Sequence, residues 1–180
     1  MKKLTITFAA LLFLTVSYSQ NFYKATSSKT HFFSEAPLEN IEATNEKSQG
    51  LINTETNQIA IIIPIIDFKF EKPLMEEHFN ENYMETSKFK TASFQGKITS
   101  EIDFTKDGEY PATAEGTLNI HGVKKERKLE GSISVKGKTF TLSSEFKVAL
   151  EDHDIAVPKM VVENIAEVID VNLTMTYEPK

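Results

Sequence analysis

The chain of 180 residues has no cysteine and no tryptophan, and only seven glycines and six prolines. Without cysteine there is no disulfide, no thiol nucleophile and no cysteine-anchored lipid, so an ordinary packed core must hold the fold. Catalytic signatures are missing as well: there is no Gly-x-Ser-x-Gly elbow and no His-Glu-x-x-His helix. Lys136-Gly137-Lys138-Thr139 resembles the end of a phosphate loop, but Ser132 stands where the first glycine is required, and the segment lies between two strands. A cationic excess is also lacking. The formal charge of −6 argues against nucleic acid and anionic membrane surfaces as partners.

Long apolar runs are scarce. Leu4 to Val16 is shorter than the roughly 20 residues a spanning helix needs. Preceded by Met1-Lys2-Lys3 and followed by Ser17-Tyr18-Ser19, it reads as a secretory signal covering residues 1–19. Residues 20–180 are then expected to form one exported domain, periplasmic or secreted, with no integral membrane segment after cleavage. Ile59 to Ile66 is the longest later run, and Pro64 within it marks a strand with a bulge or an edge.

What the chain does have is alternation. Ile98, Ser100, Ile102 and Phe104 share one face of a strand; so do Ala114, Gly116, Leu118 and Ile120, and likewise Leu129, Gly131, Ile133 and Val135. Phe140, Leu142, Phe146, Val148 and Leu150 continue the pattern, and Ile169, Val171, Leu173, Met175 and Tyr177 complete it. Asp107-Gly108 and Lys136-Gly137 offer two-residue hairpins, glycine supplying the positive φ. Three earlier strands are expected at Phe22–Phe33, at 39–53 with a break near Gly50, and at Gln58–Phe70. The last is apolar on both faces, which predicts a helix covering its outside. A helix follows over Leu74–Met84, with Pro73 in its first turn and Met75, Phe79 and Tyr83 as its apolar stripe. A second helical turn is expected within Pro158–Ala166. The sum is an all-β chain with minor α: an eight-stranded antiparallel barrel with one helix between its third and fourth strands.

Met75-Glu-Glu-His78-Phe79, Lys88-Phe89-Lys90 leading into Ser93-Phe94-Gln-Gly96, and Gly116-Thr-Leu118-Asn-Ile120-His-Gly122-Val123-Lys124-Lys125 resemble, in order, segments of the YceI-like family. The likeness continues through Asp152 and Ile155 to Pro158. It implies a lipocalin-like barrel with a long apolar interior and an exported location; some members bind polyisoprenoids or other long apolar chains there. Met75-Glu76 stands where the family has Arg-Asp, and Phe89-Lys90 where it has Tyr-Pro. The first departure removes a cation that a ligand headgroup would meet.

The expected interior comprises Phe68, Phe70, Phe79, Phe94, Ile98, Ile102, Leu118, Ile120, Phe140, Leu142, Phe146, Val148, Leu173 and Met175, with His78 as a headgroup contact. Inward Gly96, Gly116 and Ser144 would leave room for a ligand; the competing reading is a barrel filled by its own side chains. Asp152-His153-Asp154 is the one cluster with metal-ligand chemistry, but strand geometry splits it, and a solvated turn is the reading taken. No catalytic residue, metal or cofactor is implied. The expected partner is a long apolar or isoprenoid-like molecule, with a homodimer compatible but not required. The second reading is a filled interaction module without a small-molecule ligand.

Overall fold

The computed structural model describes residues 21–158 and 164–180. Among these are ten strands: β1 (Phe22–Glu35), β2 (Asn40–Asn45), β3 (Gln49–Asn53), β4 (Gln58–Pro64), β5 (Lys69–Phe70), β6 (Thr91–Ile98), β7 (Gly108–Ile120), β8 (Val123–Lys136), β9 (Thr139–Ala149) and β10 (Val168–Pro179). One short helix, α1 (Pro73–His78), lies between β5 and β6 and runs into a wider turn over Phe79–Tyr83. Eight of the strands, in the order β1-β10-β9-β8-β7-β6-β4-β3, close an antiparallel barrel when β3 returns to the start of β1. β2 and β5 extend one end of the wall, β2 pairing with Thr30–Glu35 of β1 and β5 with β2. No helix among the described residues is long and apolar enough to cross a membrane. The signal segment and Lys159–Glu163 of the expected second helical turn lie outside the described residues.

Several local expectations change. The break in the second expected strand falls at residues 46–48, before Gly50. There the Asn45 carboxamide accepts from the Lys47 amide at 2.7 Å and donates to the Pro64 carbonyl at 2.6 Å, closing a turn. The third expected strand stops at Pro64, and a 3-10 turn over Ile65–Asp67 reverses which side faces in. Phe68 is therefore buried, while Ile62 and Ile66 are 43% and 54% exposed. The helix covers no outer face of that strand; it caps the end of the barrel. β6 ends at Ile98 instead of continuing to Phe104. Residues 99–107 form a loop, where Asp103 accepts from the amide and hydroxyl of Thr105 in place of a tight hairpin at Asp107-Gly108. Asp107 instead accepts from the Gly137 amide at 2.7 Å.

The two tight hairpins are His121-Gly122, both with positive φ, and Gly137-Lys138, one residue later than the sequence suggested. Gly96 and Gly116 pair directly across β6 and β7, where an added Cβ would sit 2.3 Å from a neighbouring carbonyl oxygen. They permit close strand approach and do not hollow the interior. A bulge between Ala25 and Ser27 switches the inward side of β1, so Tyr23 and Ala25 face one end of the barrel and Thr30, Phe32 and Ser34 the other.

Those two ends differ. At one, Ile52, Ile98, Ile133, Val135, Phe140, Met175 and Tyr177 are almost fully buried against one another. Tyr177 stacks on Phe140 at 5.1 Å, and Tyr23 and Phe104 pack on the same ring. Among the described residues the Tyr177 hydroxyl has only the Met175 sulfur, at 3.5 Å, and burial pushes its pKa up. The other end is hollow.

Candidate functional site

The hollow end contains a cavity of about 400 Å³. Ile61, Phe94, Leu118, Leu142 and Leu173 belong both to the packed cluster and to the cavity wall, so they form its floor. Ile120, Leu129, Phe146, Val148, Leu150, Ile155, Ile169 and Val171 line the sides. At the mouth, Phe32, Phe68, Phe70 and Phe79 pack ring on ring with centroids 5.0–5.7 Å apart.

The helix is pinned there by charge. Glu76 accepts from Lys69 at 2.6 Å and from the Phe70 amide at 3.4 Å, and Lys69 holds its carboxyl below the usual range. Lys72 pairs with Glu39 at 2.6 Å, tying the helix start to the β1–β2 turn, and Glu39 raises the ammonium's pKa. Pro73 at the first helical position and the wider turn after His78 bring Met75, Phe79 and Tyr83 to the cavity.

The wall is chemically more apolar than its residue names suggest. The Thr30 hydroxyl bonds Ser48 at 2.9 Å, Ser34 accepts from the Ala166 amide at 2.9 Å, and Ser144 donates to the Glu130 carbonyl at 2.7 Å. Three of the hydroxyls that line the cavity are thus already engaged. The charged and titratable lining groups, Glu39 and His78, sit at the mouth; Glu39 is paired to Lys72, and His78 is exposed. Such a site offers apolar burial along its length and polar groups at one end.

Of the expected interior residues, Phe68, Phe70, Phe79, Phe94, Leu118, Ile120, Leu142, Phe146, Val148 and Leu173 line the cavity, as does His78. Ile98, Phe140 and Met175 lie in the filled end, and Ile102 packs on that end from the 99–107 loop. The first three share the inward face but sit too far along their strands to reach the void, a distinction that period-two alternation does not carry. The lining residues not assigned to the interior from sequence include Phe32, Ile155 and Ile165. The bulge conceals the first, and the other two come from irregular segments.

Asp152-His153-Asp154 is a turn: Glu151–His153 is one 3-10 turn, and Asp154 has φ 55°. His153 is fully buried, burial lowers its pKa, and backbone groups at Val123 and Ile120 oppose that shift. The His121 Nδ1 lies 3.1 Å from the His153 carbonyl. No cluster able to hold a metal ion is found among the described residues.

A closed eight-stranded barrel with one packed end and one apolar cavity is the architecture of a lipocalin-like binding fold. The chain belongs to the YceI-like domain family, whose model matches residues 22–177. Among solved structures it is similar to a polyisoprenoid binding domain from Saccharophagus degradans implicated in plant cell wall breakdown. That likeness has TM-score 0.75 and 12% identity, covering 88% of this chain and 98% of the other. Burkholderia cenocepacia BcnA superposes with TM-score 0.70 at 12% identity, covering 83% and 95%. A Campylobacter jejuni YceI protein gives TM-score 0.57 at 16% identity, covering 100% and 99%. At these identities the superpositions establish the fold. Among curated proteins no sequence match is found.

Proposed function

We propose that this is an exported, non-catalytic binding protein that holds one long apolar or amphipathic molecule, such as a polyisoprenoid or related lipid, in the hollow end of the barrel. The observation that carries the reading is the cavity itself: about 400 Å³, within the range of small-molecule sites, with an almost wholly apolar wall. Burial supplies about 0.8 kcal/mol per methylene before ordering costs. With three of the lining hydroxyls engaged, the wall offers few polar groups along its length, so polar groups of the ligand belong at the mouth, by His78 and the Glu39–Lys72 pair. The polyisoprenoid binding domain among the similar structures supports the same ligand class. The filled-module reading required the absence of such a cavity.

Native mass spectrometry of detergent-free protein from an exported fraction tests the proposal. A discrete excess mass that leaves with organic solvent is the expected result. A bare mass unchanged after incubation with isoprenoids and fatty acids would refute it. Phe94→Asp and Phe146→Asp place a carboxylate on the floor and on the wall, and both should abolish uptake in folded protein.

A further inference from the structure

β8 and β9 part company halfway along the barrel. β8 pairs with β7 over its whole length, from Val123 to Val135, but with β9 only from Gly131–Ser144 to Lys136–Thr139. Beyond that point β9 pairs only with β10. A seam is left between residues 124–130 of β8 and 145–149 of β9.

The sequence explains why. Continuing the observed register would set Glu130 opposite Glu145 and Lys128 opposite Lys147 on the outer face. Directly opposed like charges destabilise a strand pair. In place of the missing ladder there are two side-chain stitches: the Ser144 hydroxyl to the Glu130 carbonyl at 2.7 Å, and the Arg127 Nη2 to the Lys147 carbonyl at 2.9 Å. The far end is closed by Lys125 and Asp152, 3.5 Å apart. At about 3.3 Å per residue the seam is about 20 Å long.

On its inner side lie Leu129, Phe146 and Val148, all cavity-lining, and Arg127 follows Leu129 on the same face of β8. The wall is thus weakest where it borders the apolar space. Resting on the reading that this cavity holds an apolar chain, we infer that the β8–β9 seam is the side entrance through which the chain arrives, with Arg127 as the latch that holds it shut. Opening it costs two stitches and one solvated ion pair but no backbone ladder, whereas the mouth is plugged by four packed phenylalanines and two ion pairs.

Lys128→Cys/Lys147→Cys tests the inference in a chain with no other cysteine. With the pair joined by a short bis-thiol linker, uptake of a polyene fatty acid should slow at least about tenfold while the amount bound at equilibrium stays the same. Reduced, unlinked protein is its own control. Arg127→Ala should act in the opposite direction, speeding uptake up to about tenfold as a hydrogen bond to a charged group is lost. Unchanged uptake in the linked protein would overturn the inference, as would a block produced instead by linking Glu39→Cys to Lys72→Cys at the mouth. Hydrogen exchange judges the seam without any ligand: the β9-facing amides of 124–130 should exchange quickly, and protection equal to that of 131–136 would also overturn it. If no probe enters even the unlinked protein, the binding proposal fails, and exchange still decides whether the seam opens.

Discussion

The two ends of this barrel are built by the same strands yet packed differently. β9 contributes Phe140 to the filled end and Phe146 to the hollow one, six residues apart on one face. Around Phe140 two tyrosines and another phenylalanine close the space; Phe146 pairs with Val171 across the β9–β10 ladder and lines the open space. Inward orientation decides that a residue is apolar. The partners delivered by other strands decide whether it becomes plug or wall.

The widest separation of the two ends should come from truncation. Phe140→Ala empties a packed site and should cost about 3–5 kcal/mol, whereas Phe146→Ala, already beside a void, should cost no more than about half as much. Denaturant unfolding of both variants checks this, and equal losses would erase the distinction.

The pH response comes next and belongs to the hollow end. His153 is buried beside the cavity-lining Leu150 and Ile155, with its pKa depressed from the ordinary 6.5. A depressed pKa means that the unfolded chain binds the proton more readily. Stability should therefore be full above about pH 6.5 and fall below it. His153→Gln should flatten that window in thermal melts. The carboxylates of Glu76, Glu85 and Asp103 are held below their usual range, so their contribution is lost at lower pH still and the two windows separate. A smaller effect is expected from Ala92→Leu, which adds apolar bulk on the inward face of β6 at the hollow end: stability should rise by about 0.5–1 kcal/mol while apolar-probe uptake falls. The smallest is Lys72→Ala, which should leave the unfolding midpoint nearly unchanged in denaturant titration because the Lys72–Glu39 pair is solvated.

The architecture was legible in sequence because alternation survives wherever one face meets water and the other does not, as in Leu129–Val135 and Leu173–Tyr177. The division into ends was not. Phe94 and Ile98 obey the same period two, yet one lines the cavity and the other is buried in the plug. Pro64 marked an irregularity in the isoleucine run, but the 3-10 turn at Ile65–Asp67 was hidden because isoleucines on both sides of it look the same whether or not the inward face reverses. Phe32 was masked by the bulge near Thr26. Gly96 and Gly116, which suggested room inside, serve strand contact instead. The splayed seam was readable in principle, since Lys128 with Lys147 and Glu130 with Glu145 declare a conflict once the hairpin register is known.

The most direct test of the account uses methionine methyl resonances. Met75 and Met84 line the hollow end, and Met175 lies in the filled one. Adding a long-chain fatty acid spin-labelled near its carboxyl end to methyl-labelled protein should broaden Met75 and Met84 markedly more than Met175. Broadening of Met175 to the same degree, or of none of the three, would contradict a barrel that is solid at one end and receptive at the other.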